Sequence, residues 1–388
     1  MSAEKATQDH NPSLSLTESL FPPPKAFGSG AKPALQYRSD SPCWDCVFSR
    51  NGKWLAACFG APETCVRVWE QKDDGWQLHS TLEGIHTKTI RSIAFAPISA
   101  NDVIAAASFD GSVSIWELTN DQQNKEWECT TQLEGHESEV KCVVWNSTGS
   151  LLATSGRDKS VWVWETFLDG TIGGSSDNDF ECIAVLSGHE GDVKCVRFAE
   201  SHGQWGDGDE VLLSAGYDDT IRVWAEDSGD WYCALVIEGI HADTIWSLAV
   251  APGSGRMVSS SADGSIAIMK NFTILERREM FPDQSSCSNG FWKCVGKLGD
   301  AHSSTVYSVD YAPARAGHGR IASAGGDNRV QIYREVMGST SDAPLFTVDS
   351  SLQIGHGDIN CVRWHPSDGS ILCAACDDGS VRILKFLV

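Results

Sequence analysis

The chain has 388 residues, 41% of them hydrophobic and 21% charged, and its 30 Lys and Arg against 52 Asp and Glu give a net charge of −22. That charge argues against direct contact with nucleic acid or an anionic membrane, and no apolar run approaches the roughly 20 residues of a membrane helix. The N-terminus lacks the basic and then apolar regions of a secretory signal. The 14 cysteines are therefore expected to be reduced, in the cytosol or the nucleus.

In chain order, the first predicted unit is a polar tail, residues 1–12, which we expect to be disordered. The segment Leu14–Phe21 follows, and from about residue 38 one template recurs. The template consists of Gly-His, an apolar alternation, a turn, a strand of small residues, a turn Asp and an alternation that ends in Trp. Its clearest copy is EGHESEVKCVVWNSTGSLLATSGRDKSVWVWE, from Glu134 to Glu165. Such alternations, bounded by Gly, Asn and Asp turns, predict short antiparallel strands.

The turn residue and the end of the last alternation lie six residues apart in seven copies, and the copies are spaced 45 to 64 residues apart. The pairs are Glu63/Trp69, Asp110/Trp116, Asp158/Trp164, Asp218/Trp224, Asp263/Met269, Asp327/Tyr333 and Asp378/Leu384. The template resembles WD40 repeats, and seven such copies predict an all-β, seven-bladed WD40 β-propeller that forms a single domain over residues 13–388. The seventh copy ends after its third strand, so Leu14–Phe21 is predicted to add the outer strand that closes the ring.

Four insertions rich in Gly, Ser or Asp separate or interrupt the copies, and each is expected to be a surface loop. They are Asp169–Asp179, Gly203–Asp209, Thr273–Gly290 and Glu335–Ala343.

Histidines occupy the Gly-His position in six copies, and we interpret them as structural. They are His86, His136, His189, His241, His302 and His356. In WD40 repeats this His bridges the turn Asp and a strand Ser or Thr, which in turn reaches the Trp indole. The predicted tetrads are His136, Thr154, Asp158 and Trp164 in blade 3, and His189, Ser214, Asp218 and Trp224 in blade 4. The sequence also lacks a Gly-rich phosphate loop and a nucleophile elbow, so the chain is not predicted to be an enzyme.

The cysteines invite a metal or iron–sulfur interpretation, because Cys43-x-x-Cys46 and Cys373-x-x-Cys376 lie in blades that become neighbours on closure. Alignment of the repeats favours small buried strand residues instead, with no resident metal or cofactor. One shared position holds Cys46, Cys142, Cys195 and Cys361, with Ser92, Ser247 and Ser308 in the other blades; a second holds Cys129, Cys182, Cys233 and Cys294. Transient metal binding remains the alternative.

Residues that the blades do not need for packing are candidates for partner binding on the top face, near the turn Asp and the start of each inner strand. The inner-strand ring is predicted to be Asp45, Arg91, Lys141, Lys194, Trp246, Tyr307 and Asn360. The residues before the turn are predicted to be Pro62, Phe109, Arg157, Tyr217, Ala262, Gly326 and Asp377. Arg91, Lys141, Arg157 and Lys194 would then form a basic arc, continued by the aromatic residues Tyr217, Trp246 and Tyr307. Such an arc suits a short peptide with carboxylates and an aromatic residue.

Several stretches closely resemble the WD40 subunit of the cytosolic iron–sulfur protein assembly (CIA) targeting complex. The most specific is GRDKSVWVWE in blade 3, and the likeness extends over about residues 38–388 through SFDGSVSIWE, AGYDDTIRVWAEDSGDWYCALVIEGIHADTIWSLAV, WKCVGKLGDAHSSTVYSVDYAP and CDDGSVRILKF. The resemblance implies a non-catalytic scaffold that helps to recognise apo-proteins and to deliver [4Fe–4S] clusters in the cytosol and nucleus. It also implies that the Arg of the RDKSVW motif, here Arg157, acts on the top face.

The partners that the resemblance implies are a small CIA targeting-complex subunit, a HEAT-repeat CIA adaptor, apo iron–sulfur client proteins and an iron-hydrogenase-like CIA factor. Two other classes of function stay open on the sequence. One is a different WD40 adaptor, such as a ubiquitin-ligase substrate receptor or a chromatin reader. The other is a protein that itself carries an iron–sulfur cluster, which would be brown after anaerobic purification.

Overall fold

The computed structural model describes residues 16–19, 37–73, 75–98, 102–121, 124–168, 179–251, 253–284, 289–312, 319–336, 338–354 and 357–386. The predicted tail over residues 1–12, almost all of the insertion Asp169–Asp179, and His356 lie outside these ranges. Within them, no helix has the length and apolar character that a membrane crossing requires.

The described strands form seven antiparallel four-stranded sheets, as predicted for a seven-bladed propeller. The inner strands are β2 (Cys43–Phe48), β6 (Ile90–Phe95), β10 (Val140–Trp145), β14 (Val193–Glu200), β18 (Ile245–Ala251), β22 (Val306–Tyr311) and β26 (Ile359–Trp364). The second strands are β3 (Trp54–Phe59), β7 (Val103–Ser108), β11 (Leu151–Gly156), β15 (Glu210–Gly216), β19 (Arg256–Ser261), β23 (Ile321–Gly325) and β27 (Ile371–Cys376).

The third strands are β4 (Val66–Lys72), β8 (Val113–Asp121), β12 (Ser160–Phe167), β16 (Ile221–Asp227), β20 (Ile266–Phe272), β24 (Arg329–Glu335) and β28 (Val381–Phe386). The outer strands are β5 (Gly75–Leu82), β9 (Asn124–Leu133), β13 (Asp179–Ser187), β17 (Asp230–Ile237), β21 (Phe291–Leu298), β25 (Phe346–Gln353) and β1 (Leu16–Ser19). Blade 1 is β2 to β5, and the blades follow in chain order.

The ring closes through the N-terminal strand, as the truncated seventh copy predicts. Strand β1 pairs antiparallel with β28, from Leu16 opposite Phe386 to Ser19 opposite Ile383. Blade 7 therefore contains strands from both ends of the chain, and its third strand gains hydrogen-bond partners along an edge that would otherwise be open.

The core lies between neighbouring blades, where the second strands are sandwiched. All six residues of β3 and of β7 are buried, and small residues such as Ala56 and Ala105 let the sheets approach closely. Burying each Val, Leu or Ile side chain contributes about 1.5–3 kcal/mol. Because each sheet buries one face on each neighbour, the ring is expected to unfold as one unit.

The prediction of a loop at Thr273–Gly290 is wrong for its first part, which forms a helix, α1 (Ile274–Met280), and a 3₁₀ turn over Pro282–Gln284. The side chain of Thr273 accepts a hydrogen bond from the Glu276 backbone N–H at 3.2 Å. Glu276 accepts one from the Thr273 backbone N–H at 2.7 Å. This Thr-x-x-Glu capping box was the sequence signal for a helix start, and the Gly and Ser composition obscured it.

Candidate functional site

The hydrogen-bonded chains predicted for blades 3 and 4 are present. In blade 3, His136 contacts Asp158 through Nδ1 at 2.7 Å and Thr154 through Nε2 at 2.8 Å. The indole N–H of Trp164 then donates to the Thr154 hydroxyl at 3.2 Å. In blade 4, His189 contacts Asp218 at 2.8 Å and Ser214 at 2.7 Å. The indole N–H of Trp224 donates to the Ser214 hydroxyl at 2.8 Å.

Three further blades contain variants of this chain. In blade 2 the hydroxyl comes from the third strand, because Ser114 both contacts His86 at 2.8 Å and accepts from the Trp116 indole. Blades 5 and 6 keep the His, Asp and Ser, in His241/Asp263/Ser259 and His302/Asp327/Ser323, where Met269 and Tyr333 replace the Trp. Every one of these His side chains is at most 2% exposed, so none is available to a substrate.

The carboxylates of Asp158 and Asp218 are held in the ionised form. Burial raises the pKa of Asp158, but hydrogen bonds from His136 and Ser160 outweigh it and lower that pKa to about 2. The pKa of Asp218 is lowered in the same way, by hydrogen bonds from His189 and from the Glu190 backbone against the effect of burial. The Asp–His pairs therefore contribute to the stability of the blades.

A β-bulge near the start of each inner strand decides which residue faces the top of the ring. In β10 the pairing skips Lys141, between Val140 and Cys142, and each of the other inner strands has the same irregularity. The residues at the bulge are Trp44, Arg91, Lys141, Lys194, Trp246, Tyr307 and Asn360.

The prediction that Asp45 belongs to the inner-strand ring is therefore wrong by one residue, since Trp44 occupies that position. The prediction that Cys46 shares a repeat position with Cys142 is wrong by the same shift. Asp45 occupies the position of Cys142, which follows the bulge, whereas Cys46 lies deeper, in the core between blades 1 and 7. The turn after the inner strand contains the signal that was missed. Lys141 precedes the turn glycine Gly149 by eight residues, and Trp44 precedes Gly52 by the same number.

A similar correction applies to the loop between the second and third strands of blade 1. The backbone N–H of Arg157 donates to Glu139 O at 2.9 Å, and the bond that corresponds to it in blade 1 runs from Gly60 to Pro42 O at 3.0 Å. Gly60 rather than Pro62 therefore takes the position of Arg157. In blade 3 the turn residue Asp158 follows Arg157 directly, whereas in blade 1 Ala61 and Pro62 stand between Gly60 and Glu63, and these two extra residues shifted the alignment.

The four cations of the predicted basic arc do not lie next to a separate aromatic arc, because three of them, Arg91, Lys141 and Lys194, stack on aromatic rings. Arg91 lies 5.4 Å from the ring centroid of Trp44, and Lys141 lies 4.1 Å from that of Phe109. A cation desolvated over an aromatic face is stabilised by about 0.5–2 kcal/mol. Trp44 is thus a top-face aromatic residue that the sequence alignment did not identify.

Lys194 occupies the most enclosed of these sites. Its ammonium group lies 3.8 Å from the ring centroid of Tyr217 and 4.8 Å from that of Trp246. Trp246 packs edge-to-face on both Tyr217, at 6.2 Å, and Tyr307, at 5.1 Å. Burial lowers the pKa of Lys194 to about 8, although Asp192 opposes the shift. This part of the top face is therefore a rigid aromatic surface around one partly shielded cation.

Arg157 is the most exposed of the four cations of the predicted arc. Its side chain is 59% exposed, whereas those of Lys141 and Lys194 are 11% and 9% exposed. The Arg157 guanidinium lies 3.1 Å from Glu139, whose other oxygen is 3.3 Å from the ammonium group of Lys141. Glu139, which the sequence analysis overlooked, thus pairs with both Arg157 and Lys141 and lowers the net positive charge of the predicted arc.

The two groups of cysteines that the repeat alignment defines lie in different surroundings. Cys142, Cys195 and Cys361 follow the bulges and line a cavity of about 30 Å³ at the top end of the central channel. The outer-strand group is not uniformly buried as predicted, because Cys182 and Cys233 are exposed. In the described ranges, no three His, Cys, Asp or Glu side chains are grouped so that they could hold a metal ion.

Comparison with known proteins agrees with the seven repeats. The profile of the WD domain, G-beta repeat, matches residues 32–70, 76–117, 127–165, 180–225, 233–268, 292–334 and 349–384. The fold is similar to the crystal structure of the WD40 β-propeller domain of Doa1, with a TM-score of 0.63 and 18% identity, over 90% of this chain and 96% of that one.

Two curated relatives are similar over most of their length, and both are named probable cytosolic iron-sulfur protein assembly protein 1. The protein of Kluyveromyces lactis is 35% identical over 89% of this chain and 95% of its own length. That of Botryotinia fuckeliana is 31% identical over 83% of this chain and 87% of its own length. The chain therefore belongs to the WD40 family of cytosolic iron-sulfur protein assembly protein 1.

Proposed function

We propose that this protein acts in cytosolic iron–sulfur protein assembly as a non-catalytic scaffold, which helps to recognise apo-proteins and to deliver [4Fe–4S] clusters to them. The observation that carries the proposal is membership of a family whose relatives are named for that process. Its partners would be a small CIA subunit, a HEAT-repeat CIA adaptor, apo client proteins and an iron-hydrogenase-like CIA factor. It would act in the cytosol and the nucleus, where many iron–sulfur proteins need clusters.

The top face is the proposed partner-binding surface. Arg157 offers an exposed guanidinium, and Phe109, Tyr217, Trp246 and Tyr307 offer aromatic rings held in place by stacked cations and by one another. Interfaces are anchored by such Arg and aromatic side chains. A short segment of a partner that carries carboxylates and an aromatic residue would match this surface in charge and in shape.

Affinity capture from cytosol, followed by mass spectrometry, tests both parts of the proposal. Arg157→Glu is compared with Arg334→Glu, because Arg334 is also an exposed cation paired with a carboxylate, Asp349 at 3.3 Å, but lies on the third strand of blade 6. We expect wild type and Arg334→Glu to capture CIA factors and iron–sulfur enzymes, and Arg157→Glu to lose most of them.

Three outcomes would contradict the proposal. Capture mainly of cullin adaptors or histones would favour another WD40 adaptor. A brown protein with absorbance near 400 nm after anaerobic purification would favour a cluster carrier. Equal loss of partners in both Arg variants would mean that the top face has no special role.

A further inference from the structure

Two thiols and one guanidinium meet at the top end of the channel, where the inner strands of blades 3 and 4 lie side by side. Cys142 belongs to β10, and Cys195 and Arg197 belong to β14. The two cysteines are 5% and 3% exposed, and all three residues line the cavity of about 30 Å³. That volume is close to the space of one water molecule.

Arg197 is partly buried and has no carboxylate at ion-pair distance. Its Nη1 donates to Val196 O at 2.7 Å and to the Cys142 sulfur at 3.4 Å. No Asp or Glu oxygen among the described residues lies within ion-pair distance of Arg197, whereas Arg363, which also lines the channel, lies 3.9 Å from Asp45. A guanidinium in this position favours a negative charge on the group that it contacts. A thiolate at Cys142 would supply that charge.

Cys195 lies next to Cys142 and would be the thiol of the pair that keeps its proton. Its thiol hydrogen-bonds to Cys142, and its own sulfur accepts the Leu248 backbone N–H at 3.3 Å. The hydrogen bond from Cys195 and the charge of Arg197 lower the pKa of Cys142, against the effect of burial. The same hydrogen bond, together with burial, raises the pKa of Cys195.

The other groups that face this cavity carry both signs of charge. The remaining charged or titratable residues that line it are Asp45, Arg91, Lys141, Lys194, Tyr307, Cys361 and Arg363. Asp45 opposes a negative charge on Cys142, and the four cations among these residues favour it. Outside the lining, burial raises the pKa of Asp310, and the charges of Arg363 and Arg197 oppose that shift. The surroundings are therefore electropositive on balance, which is the setting of reactive cysteines.

We propose that Cys142 is a thiolate in the folded protein and that Cys142 and Cys195 form a modification site for small hydroperoxides at the top end of the channel. This inference is independent of the proposed function. Hydrogen peroxide is little larger than water, so it fits where larger oxidants do not. Low-pKa cysteines beside a second thiol are the pattern of redox-sensitive sites.

The reaction would proceed in two steps. The Cys142 sulfur attacks one peroxide oxygen, the O–O bond breaks, and hydroxide leaves and takes the proton of the Cys195 thiol to become water. The Cys195 sulfur then attacks the sulfur of the Cys142 sulfenic acid, and the S–O bond breaks with loss of hydroxide. The peroxide gains two electrons and each sulfur loses one, so that a disulfide joins blades 3 and 4.

The first test measures oxidation of the full-length protein by hydrogen peroxide between pH 6.5 and 8.5, resolved by site with mass spectrometry. Cys182 is the internal control, since it is an exposed thiol on an outer strand. We expect the rate at Cys142 to change less than threefold, while the rate at Cys182 rises about tenfold per pH unit. A parallel rise at both cysteines, or oxidation of Cys182 without Cys142, overturns the proposal.

The second test treats the protein with stoichiometric hydrogen peroxide. We expect a disulfide between the peptides of Cys142 and Cys195 in wild type. In Cys195→Ser we expect a sulfenic acid at Cys142, which dimedone traps when the oxidised protein is unfolded in its presence. Cys46→Ser is the matched control, because Cys46 is a buried thiol 3.4 Å from Cys373 but lies away from Arg197. It should react as wild type does.

Arg197→Met should slow oxidation at least tenfold and Arg197→Lys should restore it. If Arg197→Met does not fold, the wild-type pH profile and Cys195→Ser still decide the question. Oxidation of Cys46 and Cys373 before Cys142 would overturn the proposal.

Discussion

Blades 3 and 1 hold their turn residues, Asp158 and Glu63, with different side chains. In blade 3 a buried His136 connects Asp158 to Thr154 and, through it, to Trp164. In blade 1 Ser39 stands at the position of His136 and donates to Glu63 at 3.1 Å. Ala57 stands at the position of Thr154, so no hydroxyl is available there to continue the chain.

An ion pair takes the place of the His–Asp contact in blade 1. Glu63 lies 2.7 Å from Arg67, whose guanidinium stacks on Tyr37 at 4.6 Å and on Phe59 at 4.9 Å. The Glu63 side chain is 45% exposed, whereas that of Asp158 is 9% exposed. The six-residue spacing to Trp is thus shared by two arrangements with unequal burial, and burial should decide how much each one stabilises the fold.

Asp158→Ala is expected to have the largest effect. It removes the acceptor of His136 at 2.7 Å and of the Ser160 hydroxyl at 2.6 Å, and leaves both donors buried without it. We expect a loss of about 1–3 kcal/mol in the free energy of unfolding. Urea denaturation at pH 7 measures this loss, and an unchanged midpoint would contradict the stabilising role assigned to the tetrad.

The contribution of Asp158 should also depend on pH. Its pKa is about 2 in the folded protein and about 3.9 in an unfolded chain. Its stabilisation is therefore complete above about pH 4 and is lost as the pH falls towards 2. The difference in unfolding free energy between wild type and Asp158→Asn should fall by roughly half or more between pH 5 and pH 2.5. A difference that stays constant would argue against a depressed pKa.

In blade 1, Glu63→Gln should cost less than either change at Asp158. An ion pair with one partner nearly half exposed contributes at most about 1 kcal/mol. We expect a small shift in the urea midpoint, reduced further in 1 M salt because salt screens the pair with Arg67. A loss equal to that of Asp158→Ala would show that exposure does not distinguish the two blades.

Arg157→Glu should have the smallest effect on stability. Its side chain lies outside the core of blade 3, which also contains Asp158. The free energy of unfolding should therefore change by no more than about 0.5 kcal/mol. Thermal unfolding, run beside the capture experiment, separates binding from folding. A fall in melting temperature that matches the loss of captured partners would mean that the variant fails through instability.

Most of the fold could be predicted from the sequence because the same pattern of strands and turns recurs in seven copies. The outer strand of blade 7 could be predicted because the last repeat lacks one, and the His–Asp chain could be predicted because its members recur at fixed offsets. The errors of alignment fell in blade 1, the copy that departs most from the template. The extra residues after Gly60 and the position of the bulge at Trp44 shifted the alignment of blade 1, since a strand pattern alone does not locate a bulge.

The sequence by itself determined the number of blades, the closing strand and the candidate residues Arg157, Lys194 and Trp246, since spacing and residue type are local properties of the chain. Only the tertiary structure decided which of these residues are exposed and what each one contacts. Lys194 is nearly buried between two rings, and Arg197 faces a thiol instead of a carboxylate. Burial and pairing depend on which blades become neighbours, and residues such as Cys142 and Arg197, which are 55 positions apart in the sequence, meet only when blades 3 and 4 pack against each other.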